Sequence, residues 1–309
     1  MKLKSKLVVA GIAAALAAGG VAAQEEVVKI GHVAPLSGGQ AHYGKDNERG
    51  AIMAIEDLNA RNISIGGKKI KWVLVSEDDA ADPKQGTAAA QKLVDNKVNG
   101  VVGHLNSGTT IPASKIYFDA GIPQITPAAT NPKYTQQGYK SAFRVIANDN
   151  ALGAATANYA TKTLKAKRVA IIDDRTAYGQ GVADIFEKVA KEGGAQVVTR
   201  QFTNDKATDF NAILRQMKQL GINTKFLGGD GICTVELAKL AGDAIGEGVI
   251  CAEGGASLGT MPKGQDFKNR FEAKYKEPIQ VYAPYVYDAV MALAAAMFAA
   301  LTSFFSESH

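Results

Sequence analysis

From Val27 onward the chain alternates short β-rich runs with amphipathic helical ones, joined by short connections. "VVKIGHV" (27–33) reads as a strand, and "YGKDNERGAIMAIEDLN" (43–59) places Ile52, Ile55 and Leu58 at helical spacing. "KIKWVLVSED" alternates like a strand with one wet face. "DPKQGTAAAQKLVDN" opens with Asp82 as N-cap and Pro83 at the first helical position. A strand "VNGVVGHL", a loop through "SGTT" whose backbone amides would face a ligand, a helix over about 110–120 and a strand "IPQITPA" follow. Few folds accommodate such a pattern. Parallel strands cannot be joined by tight turns, so each crossover carries a helix, and the sheet is covered on both faces with right-handed connections.

A second series of the same kind begins after "SAFRVIANDN". It runs through a helix over 150–165, the strand "RVAIIDD", the helix "YGQGVADIFEKVAKEGG", the strand "QVVTRQF" and the helix "TDFNAILRQMKQLG". The strand "TKFLGG", the helix "VELAKLAG" and the strand "GVICAE" complete it. No low-complexity linker separates the two series, so ordered crossover strands are expected to join them. Toward the end, "AVMALAAAMFAALTSFF" (289–305) is 17 residues without a charge, at the lower edge of a membrane span. A buried or interface helix is the preferred reading, because Ala dominates and Thr302 and Ser303 interrupt the apolar run.

The first residues have a different character. Lys2, Lys4 and Lys6 precede the uncharged run "LVVAGIAAALAAGGVAA", and Val21 and Ala23 occupy the small-residue positions of an export-signal cleavage site. Residues 1–23 are therefore expected to be a leader removed after Ala23, with the mature protein in the periplasm. A membrane anchor is the weaker alternative, since the run is short and rich in Ala and Gly. Setting the three leader lysines aside from 35 basic residues leaves 32 against 30 acidic ones, a net charge of +2. No basic cluster interleaved with aromatics remains, which argues against nucleic acid as a partner. About 285 residues are enough for two domains with their own cores. The two cysteines, Cys233 and Cys251, are expected to pair in an oxidising compartment, with buried free thiols as the alternative.

In parallel α/β sheets, ligands bind beyond the carboxyl ends of the strands. Those positions hold Ser37, Gly38, Gly39 and Tyr43; Ser107, Gly108 and Thr109; Thr126 to Thr130; Asp173, Asp174 and Tyr178; and Gly228, Gly229 and Asp230. Hydroxyls and amides for an anion, carboxylates for a cation and tyrosines for an apolar wall together suit an amino-acid zwitterion. Ser107 and the amides around it would take the α-carboxylate, Asp230 the α-ammonium, and Tyr43 and Tyr178 would flank the rest. Capping of a helix by each serine or threonine, and an Asx-turn at Asp230, are the competing structural roles. The four histidines, His32, His42, His104 and His309, show no metal-ligand spacing, and His104 reads as a hydrogen-bonded core residue. No nucleophile elbow, Walker loop or zinc-protease motif occurs, and the pairs Asp78–Asp79 and Asp173–Asp174 lack an acid/base partner. An enzyme is disfavoured, and neither a metal nor a cofactor is expected.

"APLSGGQAHYGKDNERGAIMAIEDLN", "DDAADPKQGTAAAQKLV", "GVVGHLNSGTTIPAS", "ITPAATNP", "DDRTAYGQG" and "FLGGDGI" closely resemble, in order over nearly all of residues 25–290, the periplasmic branched-chain amino-acid binding proteins of ABC importers. The resemblance implies an α/β fold of two Rossmann-like lobes, the type I periplasmic binding protein arrangement, closing on leucine, isoleucine or valine in the cleft between them. Residues 24–147 with 254–309 would form the first lobe and 148–253 the second. It further implies that Ser107 binds the carboxylate, that Ala128 offers its carbonyl to the ammonium, that Thr130 contacts both charged groups, and that Tyr43 and Tyr178 line the cleft. Asp230 stands where the family often has Glu, one methylene longer. A disulfide found in some relatives is ruled out by Ala81 and Asn106 at its two positions. The implied partners are the amino acid and an inner-membrane ABC permease, with the chain a monomer; a ligand-binding sensor domain is the alternative.

Two departures from the family pattern carry expectations of their own. Relatives have a further strand and helix where Leu214 runs straight into Arg215, and that strand lies mid-sheet in the second lobe. Its loss must leave a gap or let "TKFLGG" slide into the vacant place and displace Asp230. Relatives also continue past the last helix, where this chain has "FAALTSFFSESH". Both features lead to the expectation of weakened binding or marginal folding.

Overall fold

The computed structural model describes residues 25–65, 68–207, 215–216, 219, 225–241 and 248–307. The leader and its cleavage site, and most of the expected helix over 208–221 with the junction at Leu214, lie outside the described residues.

Strand β1 (Glu25–Ala34) lies in the middle of a six-stranded sheet of order β2-β3-β1-β4-β5-β6, with β2 (Ser64–Ile65), β3 (Lys68–Asp78), β4 (Gly100–Gly103), β5 (Gln124–Thr126) and β6 (Ala142–Arg144). Ile30 is level with Leu74 on one side and Gly100 on the other, in parallel register. Only β2 runs antiparallel, folding back on the start of β3 with Ser64 opposite Lys69. The sequence pattern had not singled out this short return.

The side-chain alternation of β1 divides two cores. Val28 and Ile30 face helix α1 (Ala41–Ala60), whose Ala51, Ala54, Ile55 and Leu58 are buried on them, while Val33 faces Ala90 and Leu93 of α2 (Pro83–Asp95) and Tyr117 of α3 (Ser107–Asp119). Gly31 faces the second core because nothing larger fits: a Cβ there would lie 2.8 Å from Leu93. Helix α2 starts as its sequence indicates, with the Asp82 carboxylate accepting from the Lys84 and Gln85 amides and Pro83 in the first turn. Helix α3 starts three residues earlier than the sequence pattern indicated. The Asn106 carbonyl accepts from the Thr109 and Thr110 amides and the Thr110 hydroxyl, so "SGTT" is the first helical turn and not a loop.

The apolar C-terminal stretch lies in α9 (Ala283–Glu307), beside α1 on the first core. By length and composition Ala283–Ala300 could cross a membrane, yet Val286, Ala289, Val290 and Leu293 are buried on the sheet with Val28 and Ile30. Helix α8 (Gly264–Tyr275), not assigned from the sequence, buries Phe267 and Phe271 beside Met53 and is held to α1 by Arg270–Asp57 and Lys274–Glu56 ion pairs. The buried Asp46 accepts from the Gln280 and Ala283 amides at 2.9 and 2.8 Å, joining α1 to the start of α9.

After the short α4 (Lys133–Gln136), the second α/β unit begins with α5 (Asp149–Asn158), which continues as a wider turn through Thr163. Strand β7 (Arg168–Asp173), α6 (Ala177–Glu192), β8 (Gln196–Phe202), β9 (Phe226–Gly228), α7 (Val235–Ala241) and β10 (Val249–Cys251) follow. Among the described residues β7 pairs with β8 and β9 with β10, as two separate parallel ladders. The connecting segments run side by side, the Ala147 amide donating to the Gly254 carbonyl, and Cys233 and Cys251 form a disulfide.

Candidate functional site

Residues past β4, β5 and β9 meet the starts of α5 and α6 and the side of α1 at one cleft. Past β4, Ser107 is the first residue of α3, so its own amide and that of Gly108 are not used within the helix. Its side chain is buried and accepts from the Asn131 amide at 3.2 Å. Past β5, the Thr126 hydroxyl accepts from the Ala128 and Ala129 amides and donates to the His104 carbonyl, fixing the turn that carries Ala128 and Thr130. Arg144 reaches back from β6 to the carbonyls of Ala129 and Asn131. The loop is thereby held rigid from its own side of the cleft.

Asn131 also spans the cleft: its side-chain amide donates to the Ala177 carbonyl at the start of α6. On that far side, Tyr178 lies in the first turn of α6, and its hydroxyl accepts from the Gly231 amide at 3.0 Å. The Tyr43 hydroxyl, from α1, donates to the Gly231 carbonyl at 3.2 Å, and Tyr282 meets Tyr43 edge-on with ring centroids 5.5 Å apart. Asp230 opens the short 3-10 turn after β9 and is 1% exposed within this ring of tyrosines. Gly229 permits this approach, since a Cβ would lie 2.4 Å from the Tyr178 hydroxyl oxygen.

Asp149, at the start of α5, is the residue the sequence did not single out. It is fully buried, its amide donates to the Thr130 carbonyl, and its carboxylate lies against α6 so closely that a Cβ on Gly181 would be 2.2 Å from Oδ2. Neither oxygen of Asp149, neither oxygen of Asp230 and not the Thr130 hydroxyl has a hydrogen-bond partner of good geometry. Burial pushes the Asp149 carboxyl up to about 7, with the Asp230 carboxylate adding to the rise. Burial likewise lifts Asp230 to about 6, against the pull of the Tyr178 and Tyr282 hydroxyls close by. The Thr130 hydroxyl and the Arg144 guanidinium offset part of the cost at Asp149, and a ligand of positive charge would offset the rest at both carboxylates. A cavity of about 340 Å³ lies between Gly108 and Pro112 on one wall and Ala177 and Gly181 on the other, and neither carboxylate lines it.

The other positions indicated by the sequence do not converge here. Ser37, Gly38 and Gly39 form an exposed turn. Asp78 accepts from the Leu36 and Ala80 amides, Asp173 pairs with Arg200, and Asp174 accepts from the Thr176 amide and hydroxyl. His104 is buried between Asp79 and Tyr117, one ring nitrogen at 3.0 Å from each. Among the described residues no group of three or more metal-binding side chains exists.

Residues 27–245 match the family described as periplasmic binding protein. The chain belongs to this family. The leucine-specific-binding protein of Salmonella typhimurium is 37% identical over 328 residues, covering 96% of this chain and 85% of that protein. The Leu/Ile/Val-binding protein homolog 1 of Brucella abortus strain 2308 is 36% identical, covering 94% and 82%. Among solved structures, the branched-chain amino acid transporter substrate-binding protein LivJ of Streptococcus pneumoniae, in complex with isoleucine, superposes with a TM-score of 0.77 at 28% identity, covering 86% of this chain and 82% of that one. The leucine-binding protein LivK of Thermotoga maritima gives 0.77 at 29%, covering 89% and 83%.

The architecture is thus the α/β type I fold of periplasmic binding proteins, and these relatives are named as binding or transport proteins, not enzymes. The Salmonella alignment runs over 328 residues against the 309 of this chain, so it crosses insertions in the relative. In this family member the sequence reading missed Asp149, Asn131 and Tyr282. Asp149 follows the N-cap Asn148 and has the look of an ordinary acidic first-turn residue; only its burial on α6 distinguishes it.

Proposed function

We propose that the chain is the solute-capturing component of an ABC importer and binds leucine, isoleucine or valine as a zwitterion between two lobes, 24–147 with 254–309 and 148–253. The observation that carries the reading is the pair of buried carboxylates, Asp149 and Asp230, with four oxygens lacking hydrogen-bond partners of good geometry in a cleft that also holds the start of α3. An α-ammonium would supply their missing donors, with the Ala128 carbonyl as a further acceptor. The ligand carboxylate would take the first-turn amides of α3 with the Ser107 and Thr130 hydroxyls. Tyr43, Tyr178 and Tyr282 would wall the aliphatic side chain. Names of relatives that specify leucine or Leu/Ile/Val support the same ligand class.

The leader is proposed to be cleaved after Ala23, and the mature chain to work in the periplasm as a monomer that presents its closed form to an inner-membrane permease. Closure needs no chemistry, only a higher affinity of the ligand for the closed state. Calorimetric titration of residues 24–309 with leucine, isoleucine, valine and alanine tests the reading. Saturable binding is expected, weakened in Ser107→Ala by about 1.5–3 kcal/mol, the range for a hydrogen bond to a charged group. A folded protein that gives no heat with any of the four would refute it.

A further inference from the structure

Among the described residues, few backbone bonds hold the turn that carries Asp230. Strand β9 is three residues long and, among the described residues, pairs only with β10, through Phe226–Val249, Leu227–Ile250 and Gly228–Cys251. A two-stranded pair of this length is marginal by itself. Beyond it the chain turns through Asp230–Ile232 on local bonds, Ile232 to Gly229 and Cys233 to Asp230, and touches the rest of the cleft through Gly231 and Tyr178, Gly231 and Tyr43, and Thr234 and Gln280. Its covalent anchor is the disulfide from Cys233, directly after the turn, to Cys251, the last residue of β10.

We propose that this disulfide is a positioning element of the binding site: it fixes the Asp230 turn at the cleft, so that its reduction by a dithiol lowers ligand affinity reversibly. The inference rests on the reading of Asp230 as the ammonium acceptor. The bond is placed to be reached. Cys251 is exposed, and a cavity of about 250 Å³, lined by Glu253, Met261 and Tyr285 among others, opens on Cys233. A thiolate of the dithiol attacks the Cys251 sulfur and releases the Cys233 thiolate. The second thiol then displaces Cys251, leaving two protein thiols and one oxidised, cyclic dithiol. Among the described residues, the turn and the last residue of β10 then remain joined by the short ladder and the Ala252 amide on the Gly228 carbonyl.

The test compares oxidised, dithiothreitol-reduced and reoxidised mature protein, together with a Cys233→Ala/Cys251→Ala variant, by amide hydrogen exchange without ligand and by leucine titration. Exchange over 226–234 is expected to accelerate at least tenfold on reduction while β1 and α6 keep their rates. Leucine affinity is expected to fall at least tenfold and to return on reoxidation. Unchanged exchange over 226–234, or faster exchange with unchanged affinity, overturns the proposal. Acceleration spreading through α6 and β7 also overturns it, since the bond would then hold the fold and not the turn. If oxidised protein does not bind leucine, the reading of the ligand site falls, and the exchange data still decide whether the disulfide fixes the turn.

Discussion

Replacing Asp230 by Asn should stabilise the ligand-free protein and abolish tight binding at once. In the free protein the Asp230 carboxyl is 1% exposed without a good hydrogen-bond partner, and burial lifts it from the ordinary 3.8 to about 6. A rise of roughly two pH units corresponds to about 3 kcal/mol of penalty on the charged form. Because the folded-state value lies above the unfolded one, the folded chain holds the proton more tightly. Its stability is intact below about pH 4 and is lost as pH rises through about 6. Asn has nearly the same shape and no charge, so it escapes the loss. At pH 8 the ligand-free variant should be about 3 kcal/mol more stable than wild type, roughly 5–10 °C in melting temperature. At pH 4 the difference should shrink below about 1 kcal/mol. Saturating leucine should raise the wild-type melting temperature at pH 8 and leave that of the variant in place. Thermal melts followed by circular dichroism at both pH values, with and without leucine, decide the matter. A variant no more stable than wild type at pH 8, or one that still responds fully to leucine, would refute the claim that Asp230 is buried without a cation to receive a cationic ligand.

Gly181→Ala places a methyl group 2.2 Å from the Asp149 carboxylate and 3.0 Å from the Asn131 side-chain nitrogen, so leucine affinity measured by calorimetry should drop at least tenfold. Gly39→Ala, which meets nothing within 4 Å, should leave it unchanged. His104→Ala leaves Asp79 and the Tyr117 hydroxyl buried without their ring-nitrogen partners and should cost about 2–5 kcal/mol of stability in urea unfolding. A loss under 1 kcal/mol would show that water replaces the imidazole there. Gly50→Ala brings a Cβ to 2.4 Å from the Ala283 carbonyl and should lower the urea midpoint by forcing α1 from α9, at about 1–3 kcal/mol.

Periodicity along the chain determined the layered α/β architecture, because a strand buried on both faces and a helix with one apolar stripe leave different spacings in the sequence. Local chemistry was equally legible at Asp82–Pro83, where one carboxylate and one ring meet the needs of a helix start without help from the rest of the fold. It misled at "SGTT": small hydroxyls before an apolar run fit a loop or a first turn equally well, and the Asn106 carbonyl decides for the turn. The candidate site depended on what lay farther away. Ser107, Thr130 and Asp230 could be named because each follows a strand, but a carboxylate after a strand is ordinary until it is stripped of water. Asp149 and Asp230 are separated by 81 positions in the chain, and only the packing of α5 on α6 and of the tyrosines around the turn after β9 buries both in one cleft. Burial is a property of everything that surrounds a residue. It therefore belongs to the tertiary structure, and with it the pair of buried carboxylates proposed to receive the ligand.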